Sequence, residues 1–281
     1  MPLSVKLLRA AGALSALLVL VVVNSFLNQR GDESPFNPNP VAAAAERTRE
    51  VPGMRLDMTM RVKSGAESVT ITGSGSYNGE DNLAQVVYRA TTPKGQLQFD
   101  AILGESAWYF RYPQFGATLP EGKEWVKLEG LQGQKEKDTM GIESPDEMLE
   151  TVGVAGAVLR KGRTKVRGKQ TVRYRLTFTP ADVISLLRAE GKTESAEKLE
   201  DGSVQLVGPA RAEAFVDPHG ILRRVRTTTT AIAGGQTIAT DMHMDFFDFG
   251  IEPQIAAPDD SKAYDFTPLL EEKLDALGQP S

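Results

Sequence analysis

The stretch DMHMDFFDFG, residues 241 to 250, carries the residue types of several chemistries. Asp241, His243 and Asp245 are metal-ligating types at alternate positions. His243 between two aspartates is also the composition of a general base, and Asp248-Phe249-Gly250 spells the magnesium-binding triplet of protein kinases. Each chemistry needs partners elsewhere in the chain. On an extended strand the three ligand types share one face while Met242, Met244 and Phe246 share the other. Side chains at i and i+2 lie about 7 Å apart, too far to converge on one ion at about 2.0–2.2 Å without a bend. The kinase triplet has neither a glycine-rich strand-turn-strand before a buried lysine nor a His-Arg-Asp sequence to go with it.

Other catalytic constellations are equally incomplete. The chain has two histidines, and His219 stands in Asp217-Pro218-His219-Gly220, a turn sequence. There is no Gly-x-Ser-x-Gly, and GSGSYNG (73–79) ends a strand and enters a turn where a phosphate loop would open a helix. The absence of cysteine excludes disulfides, thiolate metal sites and a lipid attached to an N-terminal cysteine. Lys, Arg, Asp and Glu read as interspersed around a net charge of −5, so no basic footprint for nucleic acid is evident. The expectation is a non-enzyme with no catalytic residue, no metal and no cofactor, in which DMHMDFFDFG is a strand with one wet face.

The elements around that strand are mostly strands themselves. Met54, Leu56, Met58, Met60 and Val62 alternate with Arg55, Asp57, Thr59, Arg61 and Lys63, the period of a half-buried strand. Further runs follow at 68–77, 83–91, 96–103, 107–112 and 124–130, separated by tight turns. A hairpin then spans TKVRGKQTVRYRLTFT, and two more turn at Asp217-Pro218-His219-Gly220 and Ala233-Gly234-Gly235. Helices are expected over Val41–Glu50, over SPDEMLETVGVAGAVL (144–159), where Met148, Leu149 and Val152 share a face, and over PADVISLLRAEG, where Val183, Leu186 and Leu187 do. The sum is an α+β fold: about eleven strands in one wide antiparallel sheet, with helices on one face.

Ahead of this domain, Lys6 and Arg9 precede eighteen uncharged residues, Ala10 to Leu27, enough to span a bilayer core. Positive charge before the segment and NQRGDES after it predict a single-pass membrane anchor over residues 1–27 with everything downstream extracytoplasmic. A cleaved secretory signal is the alternative, and export is common to both. Residues 28–40, polar with three prolines, read as a tether, leaving 41–281 as the exported domain.

The apolar phase of the strands supplies the candidate ligand surface. Met54, Met58, Met60, Met242 and Met244 are five of the chain's eight methionines, and methionine fills irregular cores but also lines promiscuous apolar sites. Val86, Tyr88, Leu97, Phe99, Trp108 and Phe110 share that phase, Phe246 follows Met244, and Met148 belongs to the helix expected above. These side chains either fill a solid core or wall an apolar cavity between sheet and helices.

Several segments together resemble the LppX/LprG group of cell-envelope lipoproteins, which share the LolA-like fold. They are the tether and short helix before the first strand (NPVAAAAERTREVPGMRLDMTM), the aromatic strand, proline loop and tryptophan of AWYFRYPQFGATLPEGKEWVKLE, and the hairpin KVRGKQTVRYRLTFTPADV. The turn and basic strand of AEAFVDPHGILRRVR and the late Gly-x-x-x-x-Ile-x-x-Pro of DFFDFGIEPQIAAPDD complete the set, over residues 41 to 260. The resemblance implies an antiparallel half-barrel whose concave face, covered by helices, holds a lipid or an acylated partner. It implies transport or sensing in the cell envelope, with an envelope protein as a further partner. The chain departs from the group in lacking the lipidated cysteine, and the predicted helix over 10–27 would replace it as anchor in the inner membrane.

Overall fold

The computed structural model describes residues 40–93, 95–104, 106–112, 119–129, 158–189 and 193–268. The alternating sequence first forms β1 (Gly53–Ser64), β2 (Glu67–Asn78), β3 (Leu83–Thr92), β4 (Gly95–Leu103), β5 (Ala107–Arg111) and β6 (Trp125–Glu129). After them come β7 (Val158–Val166), β8 (Lys169–Phe178), β9 (Val204–Leu206), β10 (Ala210–Val216), β11 (Leu222–Ala233), β12 (Gln236–Phe247) and β13 (Ala263–Asp265). The helices are α1 (Pro40–Arg49), α2 (Pro180–Ala189) and α3 (Thr193–Glu200).

All thirteen strands join one open sheet in the order β13, β6, β5, β4, β3, β2, β1, β12, β11, β10, β8, β7, with β9 paired to the far end of β11. Every ladder is antiparallel except β13 beside β6. Where about eleven strands were expected, the described residues form thirteen. The additions, β9 and β13, are three residues each, too short to show an alternation. A second correction concerns Val158 and Leu159, which open strand β7 instead of closing a helix. A short apolar run has no period of its own, and pairing with Leu176 and Arg175 of β8 decides it. The rest of that expected helix, Met148 included, lies outside the described residues, as does the predicted anchor over 10–27. No helix among the described residues is long and apolar enough to cross a membrane.

Local chemistry fixes the helices and turns. Thr179 caps α2: its hydroxyl accepts the Asp182 N–H at 3.2 Å, while the Asp182 carboxylate accepts the Thr179 N–H at 2.7 Å, a reciprocal cap with Pro180 at the first helical position. In the turn between β10 and β11 the buried Asp217 accepts the N–H groups of His219 and Ile221 and pairs with Arg223 at 2.7 Å. His219 is thereby a turn residue, as its sequence context predicts. Thr48, buried on α1, donates to the Ala44 carbonyl and accepts the Leu222 N–H at 2.9 Å, which pins the helix to the start of β11.

The core lies on the side of the sheet where the helices pack. Val41, Ala44 and Ala45 of α1, Val183 and Leu187 of α2 and Ala196 of α3 join the apolar phase of the strands in one cluster. The described helices contact β8, β9, β10 and β11, one half of the sheet. A small cluster on the other side, around Tyr109, Trp125 and Ile255, covers the outer surface of β4 to β6.

Candidate functional site

Cross-strand register assembles the predicted apolar residues into rows. One row crosses eight strands, from Phe99 through Tyr88, Gly73, Met58, Met244, Val225 and Ala214 to Tyr174. The next carries Leu97, Ala90, Ile71, Met60 and Met242. A third places Phe110, Ala101, Val86, Gly75, Leu56 and Phe246 in line. All the predicted ligand-surface residues within the described segments therefore share one face of one sheet.

Their burial divides them. Met242 and Met244 are 2% exposed and Phe246 1%, while Met58, Met60, Phe99 and Phe110 are only half-buried. Met58 and Met244 both belong to the apolar phase and are paired across β1 and β12, but Met244 is enclosed while Met58 is half-buried.

Away from the helices the apolar face is an aromatic shelf. Tyr88 stacks on Phe99 with ring centroids 5.0 Å apart, and Phe110 and Tyr112 lean against Phe99 at 6.4 and 6.5 Å. Trp108 meets Phe110 edge-on at 6.4 Å. The Tyr88 ring lies flat because Gly73 sits beneath it: a Cβ there would stand 2.9 Å from the ring. Tyr88 and Trp108 are buried, at 4% exposed each, and Phe99, Phe110 and Tyr112 are the half-buried rings that leave apolar surface uncovered.

The stretch that opened the sequence now has its place. Asp241, His243 and Asp245 face the opposite, polar side of β12, and each carboxylate is bonded to an arginine of β11: Asp241 to Arg226 at 2.6 Å, and Asp245 to Arg224 in a two-point pair, one bond of which is 2.6 Å. Asp245 also lies 3.9 Å from Arg167, whose guanidinium stacks on the Phe247 ring at 3.7 Å. His243 stands between these pairs, opposite Thr59 and Arg226. Burial, then the nearby Arg224, moves its pKa below the ordinary histidine value. No group of three or more His, Asp or Glu among the described residues is arranged to hold a metal ion. Asp248 and Gly250 take positive φ angles as the chain leaves β12, so the kinase-like triplet is a strand terminus.

One feature of the polar side was missed. Residues 158 to 178 contain eight arginines and lysines and no acidic residue, so the cations are not evenly interspersed as the whole-chain composition suggested. Arg173 and Arg175 of this hairpin meet Arg211, Glu213 and Arg226 around a cleft of about 250 Å³. The lack of acids over that span was the available signal.

The fold is thus an open, mostly antiparallel sheet with helices packed on its apolar face. Among solved structures the chain is similar to LprF from Mycobacterium bovis, at 13% identity over 82% of this chain and 99% of that one, with a TM-score of 0.40. It is similar to the lipoprotein LppX of Mycobacterium tuberculosis, at 12% identity over 79% and 100% with a TM-score of 0.45. It is also similar to a chain of the Pseudomonas aeruginosa MucA/MucB complex, at 12% identity over 80% of this chain and 60% of that one, with a TM-score of 0.31. At such identities the likeness concerns the fold alone. The sequence matches no family model and no curated protein.

Proposed function

We propose that this chain is a non-enzymatic, membrane-tethered extracytoplasmic domain that binds a lipid or another acyl-bearing ligand against the aromatic half of the sheet. The observation that carries this reading is the half-buried shelf of Met58, Met60, Phe99 and Phe110, continuous with Tyr88 and Trp108. Aromatic and thioether side chains that stay partly uncovered retain apolar surface for a ligand to bury, at about 25 cal/mol per Å². In the half-barrel implied by the resemblance this surface is the concave one. The uncharged segment over 10–27 supports a fixed anchor, and a fixed anchor suits lipid extraction, local handover or sensing better than free shuttling.

The sheet, both its edges and its helices all come from residues 40–265, so a fragment of residues 40–281 contains the whole described core. Native mass spectrometry of that fragment after incubation with phospholipid vesicles is expected to find one bound lipid. Met58→Glu is expected to lose it while the domain still melts cooperatively. A wild-type fragment that stays empty with every lipid tried would sink the proposal.

A second reading, an interaction domain with a solid interior and an envelope protein as partner, is favoured by the enclosure of Met242 and Met244. It predicts an empty fragment, and failure of both Met58→Glu and Met244→Glu to fold.

A further inference from the structure

The polar face of β8, β10 and β11 carries a site of different chemistry. On β10, Arg211 and Glu213 alternate with the buried Ala210, Ala212 and Ala214, so both project to the polar side. Register places Glu213 between Arg175 of β8 and Arg226 of β11, and Arg211 between Thr177 and Thr228. With Arg173 these residues line the open cleft of about 250 Å³.

Four guanidinium groups meet one carboxylate in the lining, and the existing pairs do not balance them. Glu213 accepts from Arg175 at 3.0 Å and lies 3.9 Å from Arg173, while Arg226 is held by Asp241 at 2.6 Å. Arg211 is exposed and makes no ion pair or side-chain hydrogen bond with the described residues. The acid-free run of 158–178 adds positive potential along the same edge of the sheet, which attracts anions to the cleft.

We propose that this cleft binds a phosphoryl oxyanion, as a phosphate mono- or diester. Arginine forks match such a group with two parallel N–H donors each, where a lysine would offer a point charge. Arg211 and Arg173 supply the donors not committed within the cleft, and the Thr228 hydroxyl is placed to add one more. Its several oxygens, with a charge of about −1 in a diester and near −2 in a monoester, offer the excess of cations more acceptors than a lone carboxylate does. This site stands on the face opposite the apolar shelf and does not depend on the lipid reading.

The chemistry is shared by a free phosphate ester and a phospholipid headgroup, so the test separates them. The full chain, reconstituted in phosphatidylcholine vesicles, is titrated with glycerol 3-phosphate and with inorganic phosphate, at low and high salt. Saturable, salt-sensitive binding is expected, weakened about tenfold or more by Arg211→Gln with no change in melting temperature, and weakened less by Arg211→Lys. Loss of the glycerol 3-phosphate signal when phosphatidylglycerol is included in the vesicles identifies a headgroup as the source. A signal that persists identifies a soluble ester. Binding that survives both Arg211→Gln and Arg173→Gln, or no binding of either probe, overturns the proposal. Binding of polyglutamate without either phosphate probe also overturns it, in favour of an acidic peptide.

Discussion

The two halves of the sheet solve the same problem differently. From β11 to β8 the apolar face is covered by the described helices: Ala214 and Val225 are 0% and 1% exposed, and small residues on β10 let α1 approach. From β1 to β5 the same face mixes enclosed side chains, Leu56, Val86, Tyr88 and Trp108, with Met58, Phe99 and Phe110, which stay partly uncovered. Strands β1 and β12 are the seam, with Met58 and Met244 directly paired across it.

The largest expected effect tests that seam. Met244→Glu places a charge where 2% of the residue is exposed, with Val225 and Met58 as cross-strand neighbours, and is expected to cost about 3–5 kcal/mol or to prevent folding. Met58→Glu, half-buried, is expected to cost about 1–3 kcal/mol, because the carboxylate can turn towards water. Urea midpoints of the two variants within experimental error of each other would abolish the distinction between the halves.

A middle-sized effect isolates the helix contact. Thr48→Val keeps the volume but leaves the buried Leu222 N–H without its acceptor, at about 1–3 kcal/mol. Hydrogen exchange should quicken at Leu222 and along α1, and stay slow in β3 and β4. Uniform quickening throughout would mean that the halves unfold as one unit.

The smallest effect lies on the polar side of the seam. Because burial holds His243 below the ordinary histidine pKa, the unfolded chain takes up a proton at about pH 6.5 while the folded one does not. Stability therefore falls as pH drops from about 6.5 to the folded value, and this group contributes no slope above that range. The facing groups are Arg61, Arg224, Arg226, Asp241 and Asp245. His243→Gln is expected to flatten the dependence of the urea midpoint on pH between about pH 5.5 and 7.5. An unchanged slope would assign the pH dependence elsewhere.

How far these features were legible depended on whether they are periodic. The strand at 54–63 and DMHMDFFDFG could be assigned, and their two faces separated, because one side chain in two is apolar. Strand β7 was placed six residues late, since an edge strand exposed along nearly its whole length has no apolar phase to read. The apolar site residues were found as members of one phase, but enclosure depends on which strands lie under α1, and pairing across sequence distance is invisible in the string. The arginine cleft draws on three strands for the same reason. Its one local trace, the missing acids of 158–178, was masked by averaging charge over the whole chain.

The ends of the open sheet remain as a practical matter for the molecule at high concentration. A free strand edge is a template on which a second copy can polymerise. Among the described strands one end is β13, three residues long, beside a lysine, Lys127, bonded to Glu129 and Asp260. The other is β7, where Arg160, Lys161, Arg163 and Lys165 occupy four of nine positions. Two such edges brought together would align like charges along their length, so the longer edge repels its own copy, and the shorter offers too few groups to hold one. The sheet can stay open without growing.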